Sequence, residues 1–441
     1  MMQNTNWELS NLGDLVDYKK GYAFKSIDYR SEGIRVIRVS DTTYNSIRDE
    51  DPIYLSSETK DVYKEYELLD GDIIVTTVGS RPPLYDSMVG KVITVPRSIE
   101  GSLLNQNAVR LRAKSNVDQL FLYNNLTTRR YVYHIESSAR GNANQASITL
   151  EDLFAFEIPI PPPEEQQKIA SILSIWDKAI ELKEKLIEQK KERKKGLMQK
   201  LLMGQIRWND REKYTEGEIQ ERLEMIKGGE VPVGYKDTKV GILPEEWMVA
   251  KLKKISKRML RKNEGKEEYP VLTISSLSGF LNQSDRFSKV IAGENLSKYI
   301  LIKKNEFAYN KGNSKTYPCG CIFRLEDYDE AVIPNVYYSF QIIEGDTEFY
   351  KHYFISGKLN RHLTRVINTG VRNDGLLNLD VNDFFDIPVA CPPKNEQRKI
   401  AEVLSLAVEE IQCLEREVDS LKKQKKGLMQ LLLTGKVRVK V

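Results

Sequence analysis

Three groups of side chains in this 441-residue chain have types and spacings that chemistry could use. Asp177, Glu181 and Lys183 follow the carboxylate, carboxylate, lysine order by which many nucleases hold a metal ion and a phosphate. Cys319-Gly320-Cys321 offers two thiols, with His352 and His362 further along. Arg81-Pro82-Pro83-Leu84-Tyr85 looks like the Asn/Asp-Pro-Pro-Tyr/Phe signature, which itself does not occur. None of these assembles a site. The acidic pair falls on a long helical stretch and reads as a solvated charged face. The two thiols lack a second ligand pair, so no zinc site is expected. His134 stands alone and reads as structural. A phosphate-cradling GxxxxGK is missing, since Gly427 to Gly435-Lys436 has the wrong spacing, and no GxGxxG follows a strand. The sequence therefore predicts no catalytic residue and no metal of its own.

Composition sets the bounds within which these residues must be positioned. The hydrophobic fraction is 40% and the charged fraction 29%, a folding composition long enough for two or three domains. Lys and Arg number 67 against 63 acidic residues, which excludes a uniformly positive coat but leaves room for a local basic face. The four cysteines, Cys319, Cys321, Cys391 and Cys413, form no spaced framework, as in a reducing compartment. MMQNTNWELS has no apolar core of signal-peptide length, and no run of about 18 apolar residues occurs. A cytoplasmic location is the expectation.

The chain is an internal repeat. Residues 161–208 and 392–439 align without a gap at an offset of 231, with 22 identities in 48 positions. The identities gather at the ends: Pro-Pro, EQ and KIA in front, then KKGLMQ, Leu-Leu, Gly and Arg behind. Each repeat opens with a longer segment that matches weakly. Trp7-Glu8-Leu9 answers Trp247-Met248-Val249, YELLDGDIIVTTVG answers YILIKKNEFAYNKG, and ITLEDLFAFEIP answers LNLDVNDFFDIP.

The shared segments read as long helices. Ile400, Leu404, Ala407, Ile411, Leu414, Val418 and Leu421 keep the 4-3 apolar spacing of a coiled-coil seam, as do Ile169, Leu173, Trp176, Ile180 and Ile187. Lys183 and Lys190 interrupt the first stripe, so its pairing should weaken in the middle. Pro162-Pro163 and Pro392-Pro393 supply starts, Gly204 and Gly435 stops. A pseudo-twofold between the halves makes the two helices antiparallel partners, with Trp176 expected to be buried against the other stripe.

GIRVIRVSD, GDIIVTTVG, GKVITVP, NAVRLRA, VLTISSLS, NEFAYN, GCIFRL and VYYSFQII read as short strands, and DQLFLYNNLTTRRYVYHI and FYKHYFISGKLNRHLTRVI as helices. The fold class is α/β (α+β): two globular domains separated by two long helices that pair as an antiparallel coiled coil. The expected boundaries are 1–160 for the first domain, 161–208 for the first helix, 209–246 for a linker rich in turn formers, 247–391 for the second domain and 392–441 for the second helix.

Two variable segments, each followed by a PPxxEQxxIAxxL start and a KKGLMQxLLxG end, resemble the specificity subunit of type I restriction-modification enzymes. GYKDTKVGILPEEW before the second variable segment is similar to that family's central boundary. The resemblance covers essentially the whole chain. It implies a non-catalytic DNA-recognition subunit with two target recognition domains, each reading half of an asymmetric bipartite site. It further implies that the helices set the half-site spacing and dock two modification subunits. Those partners would carry S-adenosylmethionine and methylate adenine, while restriction subunits would use ATP and Mg2+. Two alternatives stay open on the residues: a coiled-coil adaptor for protein partners only, and a nuclease acting alone.

Within that resemblance, two loops per domain become candidates for DNA contact. Gly79-Ser80-Arg81-Pro82-Pro83-Leu84-Tyr85 aligns with Gly312-Asn313-Ser314-Lys315-Thr316-Tyr317, which follows Lys311; each bears a cation, a hydroxyl and a tyrosine. Arg140-Gly141-Asn142-Ala143-Asn144-Gln145 aligns with Thr369-Gly370-Val371-Arg372-Asn373-Asp374. Asn and Gln bond adenine bidentately, and Arg does so with guanine. As plain solvated turns these loops would look much the same.

Overall fold

Short β-branched runs and frequent turns build both domains from brief strands. The computed structural model describes every residue except 1–6, 44–45, 82–86, 264–268, 276–277, 287–295, 313, 315, 372–375 and 441. The chain folds as two units, residues 1–185 with 415–441, and residues 186–414.

In chain order the first unit holds β1 (Glu8–Asn11), α1 (Leu12–Leu15), β2 (Val16–Lys20), β3 (Ile73–Thr76), β4 (Val78–Gly79), β5 (Val92–Thr94) and β6 (Ala108–Ala113). There follow α2 (Gln119–Leu126), α3 (Arg129–Ser138), β7 (Arg140–Gly141), β8 (Ala146–Ser147), β9 (Glu157–Ile160) and the start of α4 (Pro163–Leu201). The main sheet is antiparallel in the order β2-β6-β3-β5, Ile73 facing both Leu111 and Thr94. Every residue of β3 is buried. Strand alternation explains how: Ile73 and Val75 join the core under α2 and α3, while Ile74 faces a second cluster with Ile37, Leu68 and Leu104. The sequence reads α2 and α3 as one helix. They separate because the Thr127 and Thr128 hydroxyls donate back to the carbonyls of Asn124 and Asn125, and Thr128 Oγ1 then accepts from the Tyr131 amide as a new N-cap.

The second unit repeats this plan. It holds α5 (Glu216–Gly228), β10 (Tyr235–Thr238), β11 (Gly241–Pro244), β12 (Met248–Lys251), α6 (Leu252–Ile255), β13 (Ser256–Arg258), β14 (Phe307–Asn310), β15 (Cys321–Arg324) and β16 (Tyr338–Ile342). Then come α7 (Thr347–Ile355), β17 (Asn368–Val371), β18 (Leu377–Asn378), β19 (Pro388–Cys391) and the start of α8 (Lys394–Leu432). Its sheet runs β13-β16-β14-β15, again antiparallel. β1 pairs with β9 and β12 with β19, so the weakly matching Trp and Ile-Pro stretches are two edges of one strand pair in each domain.

α4 and α8 are 39 residues each, about 58 Å at 1.5 Å per residue. Each unit contains the beginning of one and the end of the other. In the first, Ile169, Ala170 and Leu173 share a core with Leu432 and Leu433; in the second, Ile400, Ala401 and Leu404 share one with Leu201, Leu202 and Met203. The direction is antiparallel in both. Asp177 pairs with Lys425 and Lys183 with Glu417 in the first unit, and Lys190 pairs with Glu410 in the second, partners rising in one helix as they fall in the other. The lysines that interrupt the first stripe thus reach out to acids on the facing helix, although exposed pairs of this kind contribute little. Ile180, Ile187, Ile411 and Val418 are buried, whereas Leu414, Leu421 and Trp176 are half-buried. The expected burial of Trp176 is only partial, since a two-helix seam is open at its flanks.

Residues 209–246 are more than a linker. Thr215 and Glu218 form a capping box that starts α5. Arg222 lies buried with its guanidinium 5.3 Å from the Tyr214 ring and 5.6 Å from the Tyr235 ring, paired with Asp210. Tyr235 donates to the Gly204 carbonyl at 2.7 Å. Gly204 has φ +64°, and a Cβ there would meet the Pro244 ring at 2.6 Å, so the helix stop also lets β11 approach.

Candidate nucleic-acid interface

In the first domain the two candidate loops belong to one ribbon. β4 pairs with β8, and β8 with β7, so the turn after Gly79 and the turn between Gly141 and Ala146 leave the same end of a three-stranded strip. The Arg81 amide donates to the Ala143 carbonyl at 2.9 Å, tying one loop to the other. Gly79 is required by close packing: a Cβ would stand 2.2 Å from the Ser87 carbonyl oxygen.

The side chains divide by what already engages them. Ser80 is buried, its hydroxyl 2.7 Å from that of Ser87. Arg81 donates to the carbonyls of Glu136, in the last turn of α3, and of Ala139, its C-cap, and so anchors the loop to that helix end. Arg140 is exposed and 3.3 Å from Asp152. Asn142 Oδ1 accepts from the Gln145 amide at 2.8 Å, which shapes the turn. Asn144 and Gln145 are exposed at its tip. Tyr85 lies outside the described residues.

The second domain builds a corresponding but less regular ribbon, a bulged strand pair joined to the first loop by a single bridge. The Leu377 amide donates to the Lys311 carbonyl at 3.0 Å, Gly312 bridges to Leu376, and β18 pairs with β17. Lys311 is nearly buried; its Nζ lies 4.9 Å from the centre of the Tyr338 ring and 3.5 Å from the Tyr338 hydroxyl, which itself donates to the Leu379 carbonyl at 2.6 Å. Ser314 Oγ accepts from the Tyr317 amide at 3.0 Å. Tyr317 is half-buried against Phe323, and burial pushes its hydroxyl above the usual tyrosine range, so it serves as a neutral hydrogen-bonding group. Asn313, Lys315, Arg372 and Asn373 lie outside the described residues.

Sequence reasoning treated the repeated EQ and Arg only as signposts. In the structure they are the joints of the frame. Glu165 takes a bidentate bond from Arg438, both contacts at 2.6 Å, and Glu396 takes one from Arg207 at 2.9 and 2.8 Å. The adjacent Gln166 accepts from the Asp118 amide, and Gln397 from the Asp346 amide, at the starts of α2 and α7. Each EQ therefore fastens a helix start both to the facing helix end and to its own domain. The signal was present in the pattern of identities, since the Arg of one repeat answers the Glu of the other.

Duplicated mixed domains, each presenting a loop ribbon and each jointed to an antiparallel helix pair, define a two-part recognition scaffold. Residues 4–191 and 244–423 match the family of the type I restriction modification DNA specificity domain, and the chain belongs to that family. With two copies of that domain, it carries two DNA-recognition domains. It is 26% identical over 476 residues to the type I restriction enzyme MjaVIII specificity subunit of Methanocaldococcus jannaschii, covering 99% of this chain and 94% of that one. The MjaIX specificity subunit of the same organism is 26% identical over 351 residues, covering 76% and 73%. Among solved structures, the S subunit of a type I restriction-modification system from M. genitalium is similar over 98% of both chains at 17% identity, with a TM-score of 0.54; that likeness shows the fold alone. No helix among the described residues is long and apolar enough to cross a membrane.

Proposed function

We propose that each domain reads one half of a bipartite, asymmetric duplex site, offering its loop ribbon to base edges, and that the helix pair sets the gap between the halves. One observation supports this reading: a loop ribbon lies at the matching place in both domains, regular in the first and bulged in the second, and the aligned loop sequences differ. A repeated framework with unequal contact residues suits a site made of two unlike half-sequences, as dimeric readers suit palindromes. The helices also dock two modification subunits, which supply S-adenosylmethionine and methylate adenine, and restriction subunits that use ATP and Mg2+ join them. The chain selects the site and leaves the chemistry to its cytoplasmic partners. The relatives' names, as specificity subunits of restriction enzymes, support the same role.

The test is selection from a random-sequence duplex pool by the full chain with its modification subunits. Two short fixed blocks separated by a constant unspecified gap are expected. Partner binding without any enriched sequence would favour the adaptor reading instead.

A further inference from the structure

The two domains open with the same structural element and opposite charge. β1-α1-β2 and β12-α6-β13 bury the same positions: Leu12, Leu15 and Val16 in the first, Leu252, Ile255 and Ser256 in the second. The outward positions of the first domain carry Asn11, Gly13, Asp14, Asp17 and Tyr18. Those of the second carry Lys251, Lys253, Lys254, Lys257 and Arg258, all exposed. Five cations stand where the first domain has two carboxylates; the first domain's own cations, Lys19 and Lys20, come later at the end of β2, and Lys19 is paired with Glu65.

Asp386 is the acid nearest the strip, 2.9 Å from Lys251 and 2.6 Å from Lys253, and these two lysines hold its carboxyl below the usual range. Among the described residues neither Lys254 nor Lys257 has an ion-pair partner. The strip is also continuous with the recognition ribbon. The Arg258 guanidinium sits 5.9 Å from the centre of the Tyr338 ring, the ring that also holds Lys311. At the other end, Lys236 and Lys239 line a cleft against Lys251 and Asp386. β13 is an edge strand, where a single lysine suffices to block unwanted pairing. A run of five like charges repels itself and is relieved by a polyanion.

We infer that this strip binds the phosphate backbone of duplex DNA beside the half-site of the second domain, a contact that the first domain lacks. The inference rests on the DNA-reading role proposed above. Lysines act on phosphates as point charges that carry no sequence information, so the strip adds grip and leaves base preference to the ribbon.

The experiment is a salt titration of full-chain binding to a mixed-sequence duplex. Log affinity falls linearly with log salt, by about 0.9 per phosphate neutralised. Lys254→Gln with Lys257→Gln should therefore flatten the slope by about 1.8. Asp14→Gln with Asp17→Gln, at the matching positions of the first domain, should not flatten it. A slope unchanged by the lysine substitutions, in a chain that still binds DNA, overturns the strip and leaves the DNA-reading role standing. Loss of an acidic protein partner with an unchanged slope overturns it too, and assigns the strip to that partner. A parent chain that binds no duplex at all removes the DNA-reading role and the strip with it.

Discussion

The joint in the first unit and the joint in the second are built from the same residues of the repeat, yet only one is complete. Glu396 accepts two bonds from Arg207 and a third from the Trp247 indole at 2.9 Å, and Arg207 also reaches Glu246 at 2.7 Å. Glu165 accepts two bonds from Arg438, but among the described residues the Trp7 indole N–H has no partner, and Arg438 instead lies over the Trp7 ring at 5.3 Å. The Arg438 side chain is 45% exposed and that of Arg207 21%. Part of the difference is Glu246, at the end of residues 209–246, which gives Arg207 a second acid. An identical motif therefore need not give an identical interaction.

Breaking the joints is the strongest test of this difference. Glu396→Ala strands a half-buried guanidinium and an indole N–H, and should cost about 3 kcal/mol, the scale for removing one partner of a buried pair. Denaturant unfolding of the full chain, with hydrogen exchange at the start of α8, measures it. Glu165→Ala should cost less, because Arg438 is already partly in water. Equal losses would erase the distinction.

Acid sharpens the same contrast. His352 in α7 is buried with Nε2 3.0 Å from Ser405 Oγ, and burial pushes its pKa down to about 4 against the partial opposition of Glu348. The unfolded chain, with an ordinary histidine value near 6.5, takes up this proton first as pH falls. The second unit should accordingly lose up to about 3 kcal/mol between about pH 6.5 and 4, with no contribution from His352 to the slope above that window. The matching residue of the first unit is Asn124, which does not titrate. Denaturant midpoints against pH should show the loss, and His352→Gln should shrink it, leaving the part due to His362, whose pKa burial also lowers.

Much of this frame is legible in the sequence. Two 39-residue helices and their direction follow from an apolar period, capping prolines and a duplication, all local or symmetric signals. The strands were legible for the same reason, as β-branched runs between turn formers. The packing of residues 209–246 was hidden, because the Arg222–Asp210 pair and the Tyr214 and Tyr235 rings meet only through the fold. The loops were found by alignment, but not what each side chain does there. Arg81 looked free to meet DNA, and its engagement with α3 depends on a helix end more than fifty residues away in sequence.

The smallest expected effects lie in the ribbons. Asn144→Ala should relax one base position of the first half-site by about 1 kcal/mol, the lower end of what a good bidentate contact supplies. Selection from a random pool reads this directly, and the second half-site should not change. Arg81→Ala should act differently, loosening the ribbon and exposing the amides around Ala143 to hydrogen exchange. A changed base preference with undisturbed exchange would make Arg81 a base contact after all.

The proposed role of the helix pair in setting the gap between half-sites makes its length the quantity to change. Because Lys190 faces Glu410, four residues inserted after Gln189 can be matched by four inserted after Glu410. Each insertion adds about 6 Å and slightly more than one helical turn, so the apolar seam stays nearly in phase. Six ångströms is close to two base-pair steps at about 3.4 Å each. The measurement is the methylated motif produced by a complex carrying the doubly lengthened chain. The same two half-sites are expected, with the unspecified gap larger by about two base pairs. Altered half-sites with an unchanged gap would contradict it, and would leave the helices as a platform for partner subunits only.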